Sequence, residues 1–215
     1  MKNLFDYPQE YFIAYEMDLM DAYLFYFFCH HSKFFQSEFA LLIPVRNRDV
    51  LLTHLSALGF KRRGLDQRLQ SLNRKMMILC HEHDIAVTDE RLNDIDVFGY
   101  PISVMEQYEL DIKDMLILHW INESSFSKTL HHKRIHDEIY TYLNHKLFIS
   151  DYPIVHMSES SLRNRIHALI EKGLIQRHME YCAEEKVKRC YYRIANENLC
   201  QSLSMQTTVE EVKNT

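Results

Sequence analysis

The feature of this 215-residue chain that most constrains its fold is a sequence motif that occurs twice. Residues 65–78 (LDQRLQSLNRKMMI) align without gaps with residues 162–175 (LRNRIHALIEKGLI). The identical pairs in this alignment are Leu65/Leu162, Arg68/Arg165, Leu72/Leu169, Lys75/Lys172 and Ile78/Ile175. Upstream, DLMD at 18–21 matches DIKD at 111–114 in the same order. Repeated motifs of this kind indicate one fold used more than once, so we expect two domains in series.

The composition favours helices, and the charge is unevenly distributed. The chain has only 4 Gly and 4 Pro, which argues against a β-sandwich with many tight turns. Its net charge is −5. Residues 46–75 nevertheless carry eight Lys/Arg against two Asp, and residues 158–193 carry eight Lys/Arg against five Glu. Residues 82–114 carry ten acidic residues against two basic ones. The basic residues therefore surround the repeated motif, and the acidic residues lie between its two copies.

Local patterns predict the elements of the first unit. Asp18 is a suitable N-cap for a helix running to about His31. A second helix is predicted over Arg48–Leu58, ended by Gly59, and a third over Leu65–Lys75, where leucines recur at helical spacing. The segment MILCHEHDIAVT then predicts two short strands about a tight turn at residues 82–84.

The second unit shows a similar succession. Helices are predicted over Asp111–Asn122 and Lys133–His145, followed by a third helix that Ser158 caps and Gly173 ends. Residues 174–181 and 187–194 alternate in polarity, which predicts a β-hairpin with AEEK at its tip.

This order of helices, turn and hairpin resembles that of winged helix-turn-helix proteins. The first unit carries the resemblance in LSALGFKRRGLDQRLQSLNRKMMI, and the second in MSESSLRNRIHALIEKGLIQR and a hairpin ending in YYRI. The second unit departs from the pattern because no LxxLG precedes Ser158. The resemblance implies a mainly α fold with small β-wings, arranged as two winged-helix domains in tandem. We expect these domains at residues 1–98 and 111–200, with an acidic connector at 99–110 and a flexible tail at 201–215.

The same resemblance implies double-stranded DNA binding, either as a replication initiator or organiser of a mobile element or as a transcriptional regulator. In such modules a helix enters the major groove and the wing reaches the backbone. Gln, Asn and Arg can pair with bases, and cations and hydroxyls can contact phosphates. The predicted DNA contacts in the first unit are Lys61, Arg62, Arg63, Gln67, Gln70 and Arg74, with Lys61–Arg63 placed just before the helix. Those in the second unit are Ser158, Ser160, Arg163, Asn164, His167, Lys186, Lys188 and Arg189.

Two alternatives stay open from the sequence. Arg68 and Arg165 are candidates for ion pairs with acidic neighbours rather than for contacts with DNA. The chain as a whole also resembles acidic tandem winged-helix scaffolds, such as the accessory subunits of chromosome-condensing complexes, which bind protein partners. A monomer could bind an asymmetric DNA site, whereas a homodimer would require a palindrome.

Other classes of function have little support in the sequence. Cys80–His83 (CHEH) has no second half with metal-ligand spacing, and the chain has no Walker loop and no GxGxxG. We therefore predict no metal, no cofactor and no enzymatic activity. The five cysteines include no CxxC, no signal peptide is evident, and the longest apolar run (residues 22–29) is too short to span a bilayer. These observations predict a cytoplasmic protein that does not enter the membrane.

Overall fold

A computed structural model describes most of the chain. The described residues are 3–5, 7–31, 36–37, 40–45, 52, 55–75, 79–85, 96–183, 186–195 and 199. The chain divides into two compact units, the first formed by residues 1–95 with 109–112 and the second by residues 96–108 with 113–215.

The first unit combines helices with short strands. Its elements are β1 (Asn3–Leu4), β2 (Tyr7–Pro8), α1 (Gln9–Ala14), α2 (Leu19–His31), β3 (Gln36–Ser37), β4 (Ala40–Val45), a 3₁₀ turn (Ser56–Leu58), α3 (Arg62–Arg74) and β5 (Leu79–Ile85). Strands β1 and β2 form an antiparallel pair, and β3, β4 and β5 form a three-stranded sheet in that order. The core is aromatic on the α2 side, where Tyr23 and Phe27 are fully buried, and aliphatic on the α3 side.

Two predicted helix boundaries in this unit are confirmed. The Asp18 carboxylate accepts hydrogen bonds from the backbone N–H groups of Met20 and Asp21, both at 2.9 Å, and so caps α2. Gly59 adopts a left-handed φ of 82° after the 3₁₀ turn, which a residue with a Cβ would find costly. The predicted helix Arg48–Leu58 lies largely outside the described residues.

The second unit contains a larger sheet. Its elements are β6 (Asp96–Val97), β7 (Tyr100–Pro101), α4 (Ile102–Tyr108), α5 (Ile112–Ser125), β8 (His132–Ile135), β9 (Glu138–Tyr142), α6 (His145–Asp151), a 3₁₀ turn (Pro153–Val155), α7 (Glu159–Glu171), β10 (Ile175–Cys182) and β11 (Val187–Ile194). The main sheet has the antiparallel order β10-β11-β9-β8. Residues 99–110, expected to form an acidic connector, include β7 and α4.

The predicted third helix and hairpin of this unit are confirmed. The Ser158 hydroxyl accepts from the Ser161 N–H at 3.1 Å, and Gly173 has a φ of 71° just beyond the end of α7. Leu162, Ile166 and Leu169 recur at helical spacing and are buried, so α7 is fixed by one apolar stripe. Strands β10 and β11 pair along their whole length.

The duplication extends further towards the N-terminus than the repeated motif indicated. Strands β1 and β2 correspond to β6 and β7, because FDYP at residues 5–8 matches FGYP at residues 98–101. Phe5 and Phe98 have left-handed φ angles of 51° and 56°. Glu16 and Glu109, just before α2 and α5, have φ angles of 52° and 49°. The two units therefore share unusual backbone conformations as well as helix order.

The predicted fold class, mainly α with small β-wings as two winged-helix domains in tandem, is wrong. In the first unit a wing would need an antiparallel hairpin after α3, but β5 runs unbroken through residues 82–84 and pairs in parallel with β4. In the second unit the predicted helix Lys133–His145 is instead the hairpin β8–β9, so the sheet has four strands. Both units are therefore mixtures of helix and sheet.

The residues between β8 and β9 explain the second error. His136 and Asp137 have φ angles of 48° and 65° and form the two-residue turn of the hairpin. Turns with two positive φ angles match the twist of antiparallel strands, and His and Asp tolerate them better than most residues. The β-branched and aromatic run IYTY at 139–142 then favours a strand.

Candidate nucleic-acid interface

In the first unit α3 is fixed to the start of α2 by one arginine. Arg68 donates to Asp18 through Nη1 at 2.7 Å and Nη2 at 2.9 Å, and to Asp21 through Nη1 at 2.6 Å. Asp21 is only 11% exposed, so loss of Arg68 would leave this largely buried carboxylate without its partner. The alternative that Arg68 forms an ion pair with acidic neighbours is therefore confirmed.

The second unit fixes α7 in the same way. Arg165 donates to Asp114 at 2.7 Å, and both side chains are mostly buried. Lys75 and Lys172, the other aligned cations, donate to the backbone carbonyls of Glu16 and Tyr108. The Arg and Lys positions shared by the two motifs thus attach α3 and α7 to the region at the start of α2 and α5. The opposite face of each helix is left exposed to solvent.

The outward face of α3 is strongly basic. Its predicted DNA contacts are all exposed: Lys61, Arg62, Arg63, Gln67, Gln70 and Arg74. The helix begins at Arg62 rather than at Leu65, so Lys61 is the N-cap residue and Arg62 and Arg63 lie in the first turn, where the prediction had placed them before the helix. The first turn holds no acidic residue. Cations at this end oppose the helix dipole, whereas an anion there would be stabilised.

The outward face of α7 is polar but nearly neutral. Ser160, Arg163, Asn164 and His167 are exposed on it, and the Ser158 hydroxyl is already used as the cap. Arg163 pairs with Glu159 at 2.5 Å, and His167 lies 3.3 Å from Glu171. Such exposed pairs one helical turn apart contribute only about 0.3–0.5 kcal/mol, so a stronger partner can replace them.

The β10–β11 hairpin separates the three cations predicted to contact DNA. Lys186 and Lys188 are exposed, whereas Arg189 is half-buried with its guanidinium 5.7 Å from the centre of the Tyr142 ring. Lys188 and Arg189 are neighbours in a strand and project from opposite faces of the sheet. The hairpin's distal half also exposes apolar side chains, with Tyr181 at 60% and Met179 at 55%.

A group of side chains that the sequence did not single out lies where α6, α7 and the sheet meet. The His145 Nε2 lies 2.9 Å from the Tyr192 hydroxyl, and Tyr192 stands opposite Arg177 on the neighbouring strand. Burial lowers the pKa of His145 below its usual 6.5, the nearby charges of Arg163 and Arg177 lower it further, and Glu159 acts in the opposite direction. Burial raises the pKa of Tyr192, so its phenol stays protonated. His145 therefore loses its proton more readily than an ordinary histidine.

No group of three or more His, Cys, Asp or Glu side chains suited to a metal ion occurs among the described residues. Among those residues there is also no helix with the length and apolarity needed to cross a membrane. The CHEH run lies on β5, and its side chains fall outside the described part of the structure.

Comparison with known proteins adds no further assignment. No protein-family model matches the sequence, and neither a curated protein nor a solved structure is significantly similar to it. Functional inference therefore rests on the outward faces of α3 and α7 and on the hairpin.

Proposed function

We propose that this chain binds double-stranded DNA through the outward faces of α3 and α7. The observation that carries the proposal is the position of Lys61, Arg62 and Arg63 at the amino end of α3. Three adjacent cations repel one another and the helix dipole, and a DNA phosphate at this position would relieve both effects. Lys61 and Arg63 form no ion pair with another described residue, so they remain available to such a partner.

The remaining residues of α3 provide the chemistry for reading bases. Gln67, Gln70 and Arg74 follow the basic turn at helical spacing and are exposed. Glutamine amides can pair bidentately with adenine, and arginine with guanine, in a major groove that admits a helix. In this proposal the amino end of α3 contacts the backbone while its middle contacts base edges.

Helix α7 and the hairpin provide a second set of contacts. Arg163 can exchange its weak pairing with Glu159 for a phosphate, and Asn164 offers an amide to a base. Lys186 and Lys188 extend these contacts towards the backbone. Both roles predicted from the sequence, replication initiation for a mobile element and transcriptional regulation, require this activity, and both imply a cytoplasmic protein.

Fluorescence anisotropy with a labelled mixed-sequence duplex at several salt concentrations tests the proposal. We expect micromolar binding whose log K falls linearly with log salt concentration, with a slope of about −0.9 for each phosphate contacted. The variant Lys61→Ala/Arg63→Ala removes two contacts and should make the slope shallower by about 2. The matched control Lys128→Ala/Arg134→Ala removes two exposed cations of the second unit and should leave the slope unchanged. Equal slopes in the two variants would contradict the assignment of α3, and no binding at about 50 mM salt would reject DNA as the ligand.

A protein partner is the second candidate, and the hairpin is the observation that favours it. Tyr181, Met179 and Val187 are exposed apolar side chains on the distal hairpin, which DNA backbone contacts do not require. Aromatic and methionine side chains are enriched in protein interfaces. If the duplex does not bind, protein partners captured by the original chain are compared with those captured by the variant Met179→Ser/Tyr181→Ser. We expect the variant to lose a partner that the original chain captures.

A further inference from the structure

The four-stranded sheet of the second unit ends in two different edges. In the order β10-β11-β9-β8, the outer strands are β10 and β8. Strand β8 is only four residues long (HKRI) and carries adjacent basic side chains, features that discourage pairing with a further strand. Strand β10 has eight residues (IQRHMEYC), pairs with β11 without a bulge and carries both signs of charge. Strand β10 is therefore the edge that is suited to accept another strand.

The pairing with β11 determines which backbone groups of β10 point outward. The Ala195 N–H donates to the Leu174 carbonyl at 2.9 Å, and this pair continues the β10–β11 register. Because alternate residues form the hydrogen bonds of an antiparallel pair, the N–H and C=O groups of Arg177, Met179 and Tyr181 face away from β11. Among the described residues, β11 is the only strand that pairs with β10. A further strand would thus find backbone donors and acceptors along this edge.

We propose that β10 pairs with β10 of a second copy of this chain, antiparallel and about a two-fold axis at Met179. The axis is perpendicular to the sheet, so the two four-stranded sheets join into one continuous sheet and each face stays on its own side. Facing residues must then be an even number of positions apart, as side chains alternate between the faces of a strand. The dimer does not depend on the proposed function, because no DNA takes part in it.

The side chains of β10 complement one another in this register. His178 faces Glu180 of the second copy, and the symmetry repeats this contact, which pairs a hydrogen-bond donor or cation with a carboxylate. Glu180 also accepts from Lys133 at 2.7 Å, and a carboxylate has lone pairs for both partners. Arg177 faces Tyr181, so a guanidinium can lie over an aromatic ring. Met179 faces its own copy, and the exposed apolar surface of Met179 and Tyr181 becomes covered.

Neighbouring registers lack this complementarity. An axis at His178 places two histidines opposite each other and leaves Arg177 opposite Met179. An axis at Glu180 places two carboxylates opposite each other, and like charges in directly opposed positions are destabilising. The sequence of β10 therefore favours the axis at Met179.

Sedimentation equilibrium of the full chain, in reducing buffer and without DNA, tests the dimer. We expect the mass to rise with concentration from 25.9 kDa towards twice that value. Glu180→Lys should raise the dissociation constant by about tenfold or more, because it replaces two favourable contacts by repelling ones. His178→Glu/Glu180→Lys should restore dimerisation through a Glu–Lys contact. Both variants lose the pair with Lys133, so the difference between them reports the contact between copies.

Oxidative cross-linking tests the register. Residues that face each other as a hydrogen-bonded antiparallel pair have Cα atoms about 5.5 Å apart, within the range that a disulfide can bridge. Met179→Cys should therefore form a covalent dimer on mild oxidation. His178→Cys and Glu180→Cys, one residue to either side, should not exceed the background that the original chain sets with its own cysteines.

Several results would overturn the inference. One is a chain that stays monomeric up to about 1 mM. Another is a double variant that dimerises no better than Glu180→Lys, provided that circular dichroism shows both to be folded. A third is a dimer that Met179→Cys does not cross-link above the two flanking variants, which would place the contact between copies elsewhere. Each of these results leaves the proposed DNA binding to its own test.

Discussion

Replacement of Arg68 by methionine tests whether one arginine holds α3 in place. Methionine retains much of the side chain's apolar volume but none of its donors. The variant loses three hydrogen bonds, of 2.6, 2.7 and 2.9 Å, to Asp18 and Asp21. It also leaves two carboxylates together at the start of α2 without their cation.

The expected loss of stability follows from the exposure of these groups. Hydrogen bonds to charged groups contribute about 1.5–3 kcal/mol each when buried. Arg68 is 29% exposed and Asp18 is 46% exposed, so solvent screening reduces each contribution here. We therefore expect Arg68→Met to lower the free energy of unfolding by about 3 kcal/mol, most of it from the buried Asp21.

The contact also predicts how stability depends on pH. Burial alone would raise the pKa of Asp18, but hydrogen bonds from Arg68 and from the N–H groups of Asp21 and Met20 outweigh it and lower the pKa below the usual 3.8. A carboxylate with a lowered pKa in the folded state stabilises the protein above pH 3.8, and this stabilisation is lost as the pH falls through the folded-state value. The free energy of unfolding should therefore fall less steeply with decreasing pH in Arg68→Met than in the original chain.

Urea unfolding followed by circular dichroism measures both effects. Arg74→Met, on the exposed face of the same helix, should cost less than about 0.5 kcal/mol. The triple variant Asp18→Asn/Asp21→Asn/Arg68→Met should recover part of the loss, because it removes the uncompensated charges. A loss below about 1 kcal/mol for Arg68→Met, or a triple variant no more stable than the single one, would refute this reasoning.

Two further predictions concern the ends of the repeated helices. Ser158→Ala removes the cap of α7 and should lower the free energy of unfolding, measured by thermal or urea unfolding, by about 1 kcal/mol. Ser160→Ala, in the same turn but not capping, should lower it by less than about 0.5 kcal/mol. Equal losses would contradict the capping role. Gly173→Ala forces a Cβ into a left-handed φ of 71° and should destabilise by about 1–2 kcal/mol. Gly64→Ala, inside α3 where an added Cβ meets no other atom within 4 Å, should instead stabilise by about 0.5 kcal/mol. The same sign for both substitutions would show that the backbone conformation does not decide the effect.

The features predicted correctly from the sequence are those set by local chemistry. The Ser158 and Asp18 caps, the Gly173 stop and the β10–β11 hairpin each depend on residues close together in the chain. The repeat pairs Arg68 with Arg165, and ion pairing with acidic neighbours is one of the alternatives left open by the sequence. The sequence does not identify the partners as Asp18, Asp21 and Asp114.

The errors arise where pairing over long sequence distances decides the structure. The parallel alignment of β4 with β5 brings Leu42 opposite Leu79, and no local pattern specifies that choice. The β8–β9 hairpin could have been predicted, because His136–Asp137 is a plausible two-residue turn, but the helix predicted over Lys133–His145 allows for no turn there. The hydrogen bond between His145 and Tyr192 was not predicted because the two residues lie far apart in the chain and meet only when α6 packs against the sheet.

The duplicated arginine–aspartate contact has a consequence for how the chain folds. An unfolded chain offers Arg68 two similar acidic sites, Asp18–Asp21 and Asp111–Asp114, and offers Arg165 the same choice. Tandem units of this kind are prone to exchange equivalent elements during folding. The helices that carry the aspartates differ in shape, since α2 buries Tyr23 and Phe27 where α5 buries mainly aliphatic side chains. The difference between the two cores therefore disfavours packing of α3 on α5 or of α7 on α2, which the similar ionic contacts alone would not prevent.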